Sequence, residues 1–218
     1  MNKTAIIIPS RLDALRLPNK PLKLINNKEM ILHVYEAAKK TNTGEVYVAT
    51  PDQKIIDIII SNGGKAVLTS LNHQTGTDRI YEVFKTKLKS EPNVIVNLQG
   101  DMPNIDPQAI TDLVSYMHKD QCDIGTLASS FSSESELIDE NNVKVAVKDK
   151  LATNVFQKAT DFFRAGVKNY KNFYHHVGIY AFTNKALVRY VSLERSKLEL
   201  KRKLEQLRAL ENDMSIHV

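Results

Sequence analysis

The chain has 218 residues, 42% apolar and 25% charged, with 30 basic and 25 acidic side chains and a net charge of +5. That is an ordinary globular composition, long enough for one good-sized domain, and no apolar run approaches the ~20 residues of a membrane span. The single cysteine, Cys122, excludes an internal disulfide and a cysteine metal site. The opening "MNKTAIIIPS" is too short in its apolar part for a secretory signal and reads as a first strand, so a cytoplasmic protein is expected.

In chain order, strands are predicted at 4–9, 45–50, 65–69, 93–99, 124–129, 143–148, 176–182 and 215–218. Valine and isoleucine dominate several of them, as in strands covered on both faces. Helical periodicity marks 29–42, 52–62, 76–90, 106–119 and 184–211. Asp52 after a proline, and Asp106 before Pro107, read as helix starts, while Gly44 and the pair Gly63-Gly64 read as left-handed stops. Residues 130–175 are polar and poorly periodic and read as a small excursion. Strands alternating with helices imply a parallel sheet with helices on both faces, whose ligands bind beyond the carboxyl ends of the strands.

The loop leaving the first strand, "PSRLDALRLPNKPL", carries Arg11, Arg16 and Lys20. It has neither of the standard glycine-rich phosphate motifs, so an anion there would be held by side-chain cations, for which the arginine fork is suited. Asn19 tolerates a left-handed turn that would double the loop back. Alone, the loop is equally a solvated one. In "VNLQGDMP", Asp101 follows a strand and Gly100, a position that suits magnesium held by one or two carboxylates plus phosphate. Cations at one strand end and a carboxylate at another together suggest a site for a metal–triphosphate complex.

In "NHQTGTDR", Thr75, Thr77 and Asp78 are natural N-caps and Arg79 falls in the first helical turn, where a cation opposes the helix dipole. That placement suggests a task for Arg79, or a surface ion pair. In "HHVGIYAF", His176, Gly178 and Tyr180 share a strand face and His175 takes the other. The basic stretch 195–208 places Leu193, Leu200, Leu204 and Leu207 on one helical face, leaving a solvated charged face rather than a nucleic-acid surface.

These segments, with "LEQLRALEN", occur in the order and spacing of a known family, and from Ala5 to Val218 the chain resembles the 3-deoxy-manno-octulosonate (Kdo) cytidylyltransferases. The resemblance implies a Rossmann-like three-layer α/β nucleotide-diphospho-sugar transferase fold with a mostly parallel central sheet. It implies one domain over 1–218, with a small excursion or dimerisation part around 130–175. The implied reaction is CTP plus Kdo giving CMP-Kdo and pyrophosphate, for lipopolysaccharide biosynthesis, in a Mg²⁺-dependent cytoplasmic homodimer that binds neither nucleic acid nor membrane.

By the family pattern, Arg11, Lys20 and Asp101 are catalytic, with Asp101 the metal ligand. Arg11, Lys20, Thr77, Arg79 and Gln99 bind the nucleotide. Arg16, Gln99, His176, Tyr180, Glu205 and Gln206 bind the sugar acid. The chain departs from the pattern at Gln157-Lys158, at Asp161-Phe162, where isoleucine-proline is common, and at Arg202, where an acid is usual. It ends before a family segment that carries a second metal-binding aspartate, so the alternative expectation is a truncated, inactive relative that folds and binds nucleotide or dimerises without turnover.

Overall fold

The computed structural model describes residues 3–13, 17–119, 122–153, 155–166 and 170–218. Strand β1 (Thr4–Pro9) is buried along its whole length, because helices cover both of its faces. Ala5 and Ile7 point into one apolar layer and Ile6 and Ile8 into the other. Fully burying one such isoleucine stabilises the fold by roughly 1.5–3 kcal/mol.

After β1 the chain makes a short 3₁₀ turn (Lys20–Leu22) and a small hairpin, β2 (Leu24–Ile25) and β3 (Lys28–Glu29). Asn26 and Asn27 close that hairpin with φ of 49° and 61°, the left-handed pair a two-residue turn requires. Helix α1 (Met30–Lys40), β4 (Glu45–Thr50), α2 (Gln53–Ser61), β5 (Ala66–Leu68), α3 (Gly76–Thr86), β6 (Val94–Leu98) and α4 (Pro107–Met117) follow. Then come β7 (Ile124–Ser129), α5 (Glu134–Ile138), β8 (Lys144–Val147), β9 (Ala159–Phe163) and β10 (Asn172–Thr183). The chain finishes with α6 (Asn184–Ser192), α7 (Lys197–Arg202), α8 (Gln206–Glu211) and β11 (Ile216–His217).

The main sheet runs β11-β7-β10-β6-β1-β4-β5. Neighbours around β1 are parallel, with Ile7 opposite Tyr47 on one side and Asn97 on the other. Only β10 runs against its neighbours on this path, wedged between β6 and β7. Its first residues pair with β8, and β8 pairs with β9, as a branch of the same nine-stranded sheet. The stretch 130–175 thus holds the strand expected at 143–148, which is β8, together with a short helix, α5, and a strand, β9, that its polar sequence concealed. Helices α1, α2 and α4 pack on one face, through Ile31, Ile55 and Leu113, and α3, α6 and α8 on the other, through Phe84, Leu187 and Leu207. The result is a three-layer α/β fold.

Several local expectations need correction. The predicted helix 184–211 is three helices. Leu193 turns extended after α6, Ser196 opens α7 with a capping box to Glu199, and Lys203 closes it in the left-handed conformation. The basic stretch 195–208 is not a uniformly solvated face, because Arg208 and Glu199 are buried as an ion pair while Leu200 is exposed. Of the predicted left-handed glycines only Gly63 has positive φ, and Asn42 takes that role after α1. Gly44 is needed for space instead: a Cβ there would lie 2.2 Å from the Thr4 carbonyl oxygen. Asp52 precedes α2 but makes no side-chain cap, since its carboxylate is used elsewhere.

Candidate active site

The chain steps from β1 outward to β4 and β5, then returns to β6 on the other side of β1. The reversal leaves a crevice at the carboxyl ends of β1 and β6, the usual ligand position in such sheets. Here the two strand ends approach closely, and a side chain at Gly100 would meet the Pro9 carbonyl oxygen at 3.0 Å.

The loop after β1 is tied back onto the scaffold. Ser10 N–H donates to Ala49 O at 2.9 Å, and Leu12 N–H donates to Asp52 Oδ2 at 2.9 Å, which is where the Asp52 carboxylate goes. Asn19 takes φ 57°, as its sequence allows, and turns Lys20 inward. Lys20 Nζ then donates to Asp101 Oδ2 at 2.6 Å. Arg11, Lys20, Arg79, Gln99 and Asp101 all line one cavity of about 310 Å³. Arg16 lies outside the described residues.

Arg79 stands on the first turn of α3 and is 3% exposed. Its Nη1 donates to Thr69 Oγ1 at 2.5 Å and to Ser70 O at 3.0 Å. Among the described residues it has no carboxylate within ion-pair distance. Burial, and then the like charge of Arg11, push its guanidinium below the ordinary range. Arg79, desolvated and without an ion-pair partner among the described residues, faces the same cavity as the exposed Arg11, an arrangement suited to an anion, since a desolvated cation is stabilised by a partner of opposite charge.

A second lobe of about 380 Å³ adjoins the first, and the two share Gly76, Gln99 and Glu205. It collects Thr77, His176, Gly178, Tyr180, Lys203 and Gln206. Thr77 therefore faces this lobe rather than the first, bonded to Asn97 Nδ2 at 3.3 Å and to Glu205 Oε2 at 3.4 Å. Thr126 can give its proton to Ile179 O at 2.7 Å, leaving its oxygen to accept from His176 Nε2 at 2.9 Å. That arrangement makes His176 Nδ1 an acceptor. Burial, and then His175, hold the His176 imidazole down at about 3, so it is neutral. Burial pushes the Tyr180 phenol and the Glu205 carboxyl up. His175 reaches the rim of the lobe from the other side of the strand, paired with Glu136 at 2.6 Å. The first lobe is cationic, whereas the second is furnished mainly with donors and acceptors suited to hydroxyls.

Sequence reasoning passed over Ser10 and Lys203, and placed Gly178 on the strand face of His176 and Tyr180 without giving it a role. Ser10 lines the first lobe, and its Oγ, buried away from the cavity surface, is among the described residues the buried side-chain oxygen without a hydrogen-bond partner. Leaving such a group unpaired costs about 1–3 kcal/mol. A Cβ on Gly178 would touch nothing within 4 Å, so glycine there leaves room in the cavity rather than relieving a clash. Neither role has a local signal in the sequence.

The donor set fits a magnesium ion that arrives with a nucleotide. Asp101 offers one exposed carboxylate at the first lobe, and magnesium commonly takes one or two carboxylates and fills its shell with phosphate and water. No cluster of three or more acidic, histidine or cysteine side chains stands ready to hold an ion among the described residues.

Residues 5–216 match the family model for cytidylyltransferases. The chain is 41% identical over 218 residues to 3-deoxy-manno-octulosonate cytidylyltransferase of Brucella ovis, covering 99% of this chain and 86% of that protein. The chain belongs to the 3-deoxy-manno-octulosonate cytidylyltransferase family. Its similarity to the Paramagnetospirillum magneticum cytidylyltransferase is 40% identity over 214 residues, covering 97% of this chain and 86% of the other. A solved structure of CMP:2-keto-3-deoxy-manno-octonic acid synthetase complexed with CTP matches with a TM-score of 0.87 and 36% identity. It covers 98% of this chain and 88% of that chain. The family's nucleotide-diphospho-sugar transferase fold is therefore the fold of this chain.

Among the described residues of this cytidylyltransferase family member, no helix is long and apolar enough to cross a membrane.

Proposed function

We propose that this chain transfers the cytidylyl group of CTP to 3-deoxy-manno-octulosonate, forming CMP-Kdo and pyrophosphate. The observation that carries the reading is the two-lobed cavity in a chain 41% identical to a cytidylyltransferase of that name: a cationic lobe joined to a polar one at Gly76, Gln99 and Glu205. Such chemistry needs positioning and charge neutralisation more than covalent participation by the protein.

In this reading Arg11, Lys20 and Arg79 bind the triphosphate and the nucleoside beside it. The second lobe orients the sugar acid through His176, Tyr180 and Gln206, and Thr77 joins that lobe. The anomeric oxygen forms a bond to the α-phosphorus while the bond to the pyrophosphate oxygen breaks. The hydroxyl proton passes to solvent water, and Lys20 and Arg11 offset the charge growing on the departing pyrophosphate. Asp101 would hold magnesium, which when bound draws charge from the phosphoryl oxygens. For Asp101 to do so, Lys20 must exchange its present carboxylate partner for a phosphate. Its exposed pairing makes that exchange cheap, since such pairs are worth about 0–1 kcal/mol. Magnesium dependence, a homodimeric state and a cytoplasmic location belong to the same proposal.

A coupled pyrophosphate assay tests it. Release should require CTP, Kdo and magnesium together, and fall sharply when another nucleoside triphosphate replaces CTP. No release at saturating Kdo and magnesium, with CTP still bound, would return the chain to a nucleotide-binding relative without turnover.

A further inference from the structure

Two of the positions at which the chain departs from the family pattern meet in the fold. Arg202 is the last residue of α7, and Asp161 lies in β9, forty-one residues earlier. Arg202 Nη1 reaches Asp161 Oδ1 at 2.7 Å, Asp161 Oδ2 at 2.8 Å and Phe162 O at 2.8 Å. Tyr170 adds its hydroxyl to the same carboxylate. The side chains are only 32% and 19% exposed, so this is not a freely solvated surface pair.

Both ends of the pair lead to the second lobe. On the α7 side, the next residue is Lys203, held at φ 55° and ψ 48°, and the turn from Lys203 to Gln206 lines the cavity. A left-handed lysine carries a backbone cost that its surroundings must offset. On the β9 side, Phe162 is fully buried and its ring meets the His176 imidazole edge-on, with centroids 5.0 Å apart. Lys203 brings a cation to the lobe, suited to the carboxylate of a sugar acid. Of this turn only Glu205 also reaches the first lobe.

We propose that Asp161 and Arg202 form a positioning clamp that fixes the Lys203–Gln206 turn against the second lobe and thereby sets its affinity for the sugar acid. The role of the lobe rests on the proposed function, whereas the clamp itself does not. Removing either partner frees the turn and, Glu205 apart, leaves the residues of the nucleotide lobe in place.

The test compares Arg202→Met, Asp161→Asn, the double variant and Asp161→Glu in the full chain. Each single variant should raise the KM for Kdo about 5- to 20-fold while the KM for CTP stays within about twofold. The double variant should resemble the singles, because one interaction is lost in all three, and Asp161→Glu should recover most of the affinity. Amide hydrogen exchange at Leu204 and Leu207 should quicken in Arg202→Met without a comparable change in the β1 amides. An unchanged KM for Kdo, parallel rises in both KM values, or unchanged exchange at that turn overturns the clamp. If the parent chain shows no turnover, the proposed function fails, and hydrogen exchange alone still decides the clamp.

Discussion

His176 shows how one side chain ties chemistry to stability. It is 6% exposed, with its Nε2 used by Thr126 and its ring against Phe162. Burial, and the neighbouring His175 after it, lower its imidazole from 6.5 to about 3. The unfolded chain therefore binds a proton between these values that the folded chain refuses. Stability must fall as pH drops from about 6.5 toward 3, by up to about 1.4 kcal/mol for each pH unit. Urea unfolding at pH 7 and pH 5 should show that loss, and His176→Gln should reduce it. Glu205, whose raised carboxyl acts in the opposite direction, is common to both chains and drops out of the comparison. An equal pH dependence in the variant would mean that His176 is protonated in the folded state.

At the scale of elements, the end of the chain owes its shape to an ion pair that periodicity cannot reveal. Leucines at 193, 200, 204 and 207 suggest one helix, yet Ser196 and Lys203 divide the segment. The break lets Arg208, on α8, grip the fully buried Glu199, on α7, with bonds of 2.8 and 2.7 Å. Burial pushes the Glu199 carboxyl up, but Arg208 and Arg195 more than offset this and hold it below the ordinary range. Arg208 also lies over the Tyr190 ring, 4.7 Å from its centroid. Truncation to Arg208→Met leaves Glu199 with the half-exposed Arg195 as its cation among the described residues, beside its capping bond from Ser196 N–H. We expect a loss of about 3 kcal/mol in urea unfolding, the lower end for a broken buried pair, and partial recovery in Glu199→Gln with Arg208→Met. A loss below 1 kcal/mol would show that Arg195 suffices. The N-caps Thr75 and Asp106 were legible because capping is local, each accepting from a backbone N–H two or three residues on.

For the whole molecule, the site exists only because distant segments are brought to one sheet edge. Arg11 follows β1, Arg79 opens α3, Asp101 follows β6 and Glu205 comes from the far end of the chain. A ligand touching all of them links the folded state together. Saturating CTP with magnesium should therefore raise the melting temperature, by about 5–10 °C at a hundredfold excess over Kd. Chelating the magnesium should shrink the shift, since the triphosphate would then lack its carboxylate-bound counterion. No shift with CTP and magnesium would mean that the cationic lobe does not take the nucleotide.

Local and pairwise information was enough for much of this architecture. Strands buried on both faces announced themselves as runs such as "AIII" and "VIV", and the left-handed Asn19 and the capping Thr75 follow from side chains acting within a few residues. The ordered motifs likewise named Arg11, Arg79, Gln99 and Asp101, which the fold brings into one cavity. Tertiary structure alone decided that Thr77 faces the second lobe, that Gly178 leaves space and that Ser10 keeps an unpaired hydroxyl. It also decided that Asp161 meets Arg202. Those properties depend on what approaches across the sheet from tens of residues away, and neither spacing nor periodicity carries that distance.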